Sequence, residues 1–159
     1  MSSPYTQPAR WTPQRLFRTV AVAEAITWTL LLIGMVLKYV TDTTELGVRI
    51  GGMLHGVVFI AYCLTTIVVG VDERWKVRRI VLGLASSIPP FFTIWFDLAA
   101  EAKGWFTGSW RLATQAPRTV VEKVVSWLIR KPGQGLIAAI VAVAVLTCIA
   151  LLVGPPASS

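Results

Sequence analysis

Four stretches of this chain stay apolar for 19 to 22 residues: 19–40, 50–71, 80–100 and 136–154. A hydrocarbon core about 30 Å thick takes about 20 residues of helix to cross, so each stretch is long enough to span one. None alternates apolar with polar positions, and a membrane strand is only about 10 residues long, which excludes strands. Lipid offers the backbone no hydrogen-bonding partner, so a single segment must satisfy its own amides and carbonyls, and the helix does this. The pattern predicts an all-α polytopic membrane protein with three to four membrane helices.

The connections at 41–49 and 72–79 are short and charged. The third, 101–135, is long: Trp105, Phe106 and Trp110 stand near its start, Pro117 can open a helix, and Pro132-Gly133 can close it. Between those bounds Val120, Val124, Trp127 and Leu128 fall on one face and Glu122, Lys123, Ser126 and Arg130 on the other. We expect an amphipathic helix at the membrane surface, with Arg118, Lys123, Trp127, Arg130 and Lys131 meeting lipid; a helix packed on a partner's soluble domain is the alternative. The organisation is then a membrane core over 1–103, a basic connector over 104–135, and a last membrane helix with a short tail over 136–159.

Pro89-Pro90 interrupts the third stretch at its middle, where two successive residues lack the amide donor and the helix must kink or break. The distribution of Lys and Arg bears on which. If all four stretches cross, the two sides hold 7 and 8 of these residues; if the third turns back they hold 13 and 2, a strong positive-inside pattern. A kinked crossing helix and a re-entrant segment both stay open, because neighbouring helices can stabilise a kink and long connections follow the charge rule loosely.

Composition sharpens the class. Of 159 residues 55% are hydrophobic and 14% charged, against about 45–50% and about 25% in soluble domains; mean hydropathy is +0.66. A net charge of +7 would suggest nucleic acid on a soluble chain, but here it points to anionic lipid headgroups and to no nucleic-acid partner. At 22 residues the first stretch is too long for a cleavable signal core and reads as a retained anchor. Cys63 and Cys148 lie in apolar stretches without metal-site spacing and read as buried fillers.

Three ionisable groups lie inside the apolar stretches, Glu24, His55 and Asp97, where a charge costs at least about 2.5 kcal/mol unless paired or hydrated. His55 sits between Gly52 and Gly56, and Gly47 and Gly51 carry the same small-xxx-small spacing, so these four glycines form a candidate helix-packing face. At 1.5 Å per residue Glu24 and His55 fall roughly 9 Å and roughly 7 Å on opposite sides of the midplane, too far apart for direct contact in an antiparallel hairpin. Asp97 lies on the side of His55 if the third stretch crosses and on the side of Glu24 if it turns back. A structural role and a proton-handling or ligand role both stand for these groups. Enzyme signatures are missing from the sequence: there is no Gly-rich phosphate loop, a single histidine and no metal-spaced His/Cys set. Gly83 to Ser87 is no nucleophile elbow for a serine assisted by His55, and a paired-aspartate protease needs a second membrane aspartate. No catalytic residue, cofactor or metal is expected.

Leu16-Phe17-Arg18 through Ala23-Glu24-Ala25, Leu31-Leu32-Ile33-Gly34-Met35 with Leu37-Lys38-Tyr39, and Gly51-Gly52-Met53-Leu54-His55-Gly56 with Ala61-Tyr62 form a specific set, continued by Arg74-Trp75 and Ser87-Ile88-Pro89-Pro90-Phe91. From about Pro13 to Lys103 the chain resembles the bacterial integral-membrane family known as domain of unknown function 3817; the tail with Trp110-Arg111-Leu112 looks like its longer actinobacterial members. The resemblance implies a small multi-pass protein of the bacterial plasma (inner) membrane and no reaction. It also makes Glu24 and His55 preferred test residues.

The expected function is a non-enzymatic accessory or scaffolding component that packs against another membrane protein or itself. Alternatives are a small proton-coupled transporter acting as an oligomer with Glu24 titrating, and a lipid-surface sensor using residues 120–130.

Overall fold

The structure, a computed structural model, describes residues 11–153. Seven helices follow one another: α1 (Pro13–Tyr39), α2 (Leu46–Asp72), α3 (Val77–Ala85), α4 (Phe92–Ala102), α5 (Arg111–Thr114), α6 (Val120–Arg130) and α7 (Pro132–Val153). Among the described residues there is no strand. Arg10 and Gly154, the latter closing the fourth apolar stretch, lie outside them.

Thr12 caps α1, its hydroxyl accepting from the Arg15 amide at 3.2 Å, and Pro13 takes the first helical position, where no amide is needed. α1 and α2 form a tight antiparallel hairpin. A Cβ added to Gly34 would lie 2.4 Å from the Gly47 carbonyl carbon, and one on Gly51 3.0 Å from the Leu31 Cα, so the two backbones touch. Gly47 and Gly51 thus pack on α1 of the same chain. Gly52 meets only the Leu31 side chain at 3.8 Å and Gly56 meets nothing within 4 Å; that pair leaves open space beside it.

Among the described residues three helices are long and apolar enough to cross a membrane: α1, α2 and α7. The stretch 80–100 is not a kinked crossing helix. α3 runs back along α2, with Ile80 against Gly70, Gly83 against Thr66, and Ser86 bonded to the Tyr62 hydroxyl at 3.0 Å. The chain then reverses and α4 returns along α1, with Thr93 bonded to Glu24, Asp97 to Arg18 and Glu101 to Gln14. It leaves where it entered, and Trp75 before α3 donates its indole N–H to the Trp105 carbonyl after α4 at 3.1 Å. The segment is re-entrant, turning near the middle of α2. The break has a local cause. Neither Pro89 nor Pro90 can donate, the Ser86 and Ser87 hydroxyls bond back to the Gly83 and Leu84 carbonyls at 2.7 and 2.6 Å, and Phe91 adopts φ 67°, which turns the chain before α4 restarts.

The core lies at the base of this arrangement, the end holding the start of α1 and both ends of the re-entrant hairpin. The Phe17 ring lies 5.5–5.9 Å from the rings of Tyr62, Trp75, Phe96 and Phe106. Such tilted and edge-on pairs add to the burial of large aromatic surfaces. α7 is apolar all round and mostly exposed, as a helix in lipid can be; Cys148 on it faces outward and is no buried filler, while Cys63 is half-buried. Of the fourteen Lys and Arg among the described residues, Lys38 and Arg49 lie at the α1–α2 turn and the other twelve at the base. After replacement of Cys63 and Cys148, cysteines at Lys76 and Thr114 should react with an impermeant reagent from one side of the membrane and a cysteine at Thr44 from the other. Labelling of positions 44 and 76 from the same side would overturn this path.

Candidate functional site

A polar seam runs inside the protein along one face of α1. Gln14, Arg18, Ala21, Glu24 and Thr27 recur every three or four residues and therefore stack. At the base the Arg18 guanidinium donates to Asp97 at 2.7 Å and to Glu101, which also accepts from Gln14. Asp97 is 2% exposed and its Oδ1 has no partner among the described residues. Deeper in, Glu24 is fully buried: Oε2 accepts from the Thr93 hydroxyl at 2.8 Å, and Oε1 has no partner among the described residues. Thr93 Oγ1 also lies 3.3 Å from the Ala21 carbonyl. One turn further the Thr27 hydroxyl donates to the Glu24 carbonyl at 2.9 Å and lies 3.3 Å from His55 Nδ1, while the imidazole packs at a tilt against Trp28, ring centres 4.4 Å apart.

The three sequence-predicted groups are thus spread along the seam. Asp97 lies on the Glu24 side, as a re-entrant segment requires, and pairs with Arg18. Glu24 and His55 do not bond; Thr27 stands between them. Each meets neighbours from its own chain, so none of them needs a second protein for its first contacts. The Ser86 and Ser87 hydroxyls are turned to carbonyls of α3, and His55 bonds on the α1 side, so no serine–histidine pair forms among the described residues. No three His, Cys, Asp or Glu side chains gather as a metal site there either.

Arg18 and Thr93, which hold two of the carboxylates, carry no sequence signal of that role. Arg18 counts as a topology charge, and Thr93 is a tolerated hydroxyl in an apolar stretch. Asp72 is missed in the same way. At the last turn of α2 it is fully buried and accepts from the Leu112 and Arg111 amides at 2.8 and 3.0 Å. Arg111 in turn bonds the Asp72 and Val71 carbonyls at 2.6 and 3.1 Å, and Glu122 at 2.7 Å, tying the connector to α2. The Arg118 amide at 2.6 Å, and then the Arg111 guanidinium, hold the Glu122 carboxyl below its usual range. Burial pushes Glu73 the other way, although it accepts from the Thr107 amide.

α6 turns Val125 and Ser126 inward, with Glu122 beside them. Ser126 and Arg130 donate to the Leu112 carbonyl at 3.1 and 3.0 Å, and Arg130 also to Gln115 at 2.8 Å, so that guanidinium clamps the connector. The apolar side faces out: Val120 is 75% exposed, Val124 56% and Trp127 41%. Arg118, Lys123 and Lys131 are exposed beside it.

Residues 14–102 match the family described as "Domain of unknown function (DUF3817)". The match begins one residue inside α1 and ends with α4, so the α1–α2 hairpin and the re-entrant hairpin are the family's unit, and α5 to α7 lie beyond it. A stretch of 91 residues is 46% identical to "Putative membrane protein SCO5905" of Streptomyces coelicolor, covering 57% of this chain and 11% of that protein. The chain therefore spans about a tenth of the length of the relative it matches. No solved structure matches.

Proposed function

We propose, from the premise that this chain belongs to the DUF3817 family, that it is a non-enzymatic accessory or scaffolding component of the bacterial inner membrane that packs its re-entrant hairpin against a larger membrane protein. The observation that carries this reading is the hairpin's tip. Residues 86–91 reverse beside Tyr62, and Ile88 and Phe91 there are 69% and 46% exposed. Non-helical backbone at that depth is stable only where protein or water covers it. Phe92, Trp95 and Leu98 continue an exposed apolar ridge from the tip along α4. The relative's much greater length supports the same reading, since there the matched unit is joined to further polypeptide. The twelve base cations favour a cytoplasmic base. Gentle detergent extraction followed by affinity capture and sizing should recover a complex larger than one chain, and Trp95→Glu should disperse it. A strictly monomeric particle from native membranes would overturn the reading.

Glu24 supports a second reading, a proton-coupled transporter. Its Oε1 is buried beside the re-entrant turn with no partner among the described residues, and broken helices near the midplane are where transporters hold ions and substrates. Vesicles loaded with a cationic substrate and given a proton gradient should show flux that Glu24→Gln abolishes. An equal absence of flux in both proteins would retire this reading.

A further inference from the structure

At the base of the re-entrant hairpin two cations converge on one indole. The Arg79 guanidinium lies 4.0 Å and Lys103 Nζ 5.3 Å from the centre of the Trp105 ring. Neither is in an ion pair with a described carboxylate. The described carboxylates at this end are committed elsewhere: Asp97 to Arg18, Glu101 to Arg18 and Gln14, Glu73 to the Thr107 amide, Asp72 to the Arg111 and Leu112 amides, and Glu122 to the Arg111 guanidinium and the Arg118 amide. Trp105 is held in place by its carbonyl, which accepts from Trp75, and by edge-on packing of its ring on Trp75 and Phe96. The ring quadrupole attracts both cations, and with no described carboxylate against either of them they leave a local excess of positive charge that an anion neutralises.

The surroundings indicate which anion fits. The ring marks the level where the re-entrant hairpin enters and leaves the apolar layer, the depth of headgroups and of interfacial tryptophans. Arg74, Lys76 and Arg78 are exposed on the α2–α3 turn and widen the positive field. Leu82, one turn from Arg79 on α3, is 51% exposed and begins an apolar wall on the membrane side of the cations. A phosphate carrying acyl chains satisfies both parts, with charge at the cations and hydrocarbon along the wall. We propose that Arg79, Lys103 and Trp105 form a seat for the phosphate of an anionic phospholipid. The seat is separate from the hairpin tip and does not depend on a protein partner there.

Native mass spectrometry of the full chain in mild detergent, titrated with phosphatidylglycerol or phosphatidylcholine, tests this. One phosphatidylglycerol should be held about 25-fold more tightly than phosphatidylcholine, about fivefold for each of the two cations. Each basic group near an anionic lipid contributes about fivefold (about 1 kcal/mol). Lys103→Gln, at an exposed position clear of the core, should therefore weaken retention about fivefold, and adding Arg79→Gln should remove the preference. Lys123→Gln with Lys131→Gln should leave it in place. Equal retention by wild type and Lys103→Gln would overturn the seat, as would equal binding of the two lipids. Displacement of phosphatidylglycerol by millimolar inorganic phosphate would overturn the lipid assignment and leave a site for free phosphate.

Discussion

Alanine at position 34 should force α1 and α2 apart and cost about 1–3 kcal/mol of folding stability, and leucine there should cost more. A Cβ on Gly34 meets the Gly47 carbonyl carbon at 2.4 Å, its oxygen at 2.6 Å and the Val48 nitrogen at 2.6 Å, all backbone atoms of α2. No side-chain rotamer can relieve such a contact, so the helix itself must move. In lipid or detergent no hydrophobic force draws the separated helices back, because the tails that replace the lost contact are as apolar as the side chains. Gly56→Ala is the matched control. Its Cβ would meet nothing within 4 Å, and the change should stay within about 0.5 kcal/mol. Unfolding by dodecyl sulfate titration in mixed micelles, followed by tryptophan emission and helical circular dichroism, gives both values. Equal midpoints for Gly34→Ala and Gly56→Ala would show that the close approach is not what holds the hairpin.

That contact also marks where the sequence stops being informative. The small-residue spacing of Gly47 and Gly51 is visible as a pattern, but spacing does not name the facing helix. Gly34, which supplies the other half of the contact, has no such pattern of its own in α1. The re-entrant path is half-legible: Pro89-Pro90 predicts a break and the Lys/Arg distribution favours a turn back, yet a kinked helix satisfies the prolines equally well. The Ser86–Tyr62 and Thr93–Glu24 bonds decide it, and both depend on which helices are neighbours. α6 is legible in extent and in its two faces, because amphipathic periodicity is local. That Ser126, Arg130 and Glu122 turn onto the Leu112 carbonyl and Arg111 follows from the anchorage of the connector at Asp72. Nothing near position 72 in the sequence distinguishes that aspartate from a solvated loop charge.

Loss of the Arg18 cation should detach α4 from α1 at the base. Removing one partner of a buried pair costs about 3–5 kcal/mol, because the charge left behind has neither water nor a counterion. Asp97, 2% exposed and with no partner on Oδ1 among the described residues, is the group that would be stranded. The Arg18 side chain is 40% exposed, so part of the loss is screened, and about 3 kcal/mol is expected for Arg18→Met. The reverse deletion should be milder. With Asp97→Leu the guanidinium keeps Glu101 and its contact with water, and the new side chain is apolar among Phe96 and Ala100. The double variant Arg18→Met, Asp97→Leu should therefore be more stable than Arg18→Met alone, with a coupling of about 1–3 kcal/mol in the cycle. The same detergent titration measures all four proteins. If the two single losses simply add, Arg18 and Asp97 act independently, and the seam would not be what returns α4 along α1. The base pair and the Glu24–Thr93 bond lie on one interface, about one turn apart along α4 and under two along α1, and coupling would make them act together. Arg18→Met should then also raise exchange at the α4 amides around Thr93 while leaving those of α7 unchanged, which hydrogen–deuterium exchange reads directly.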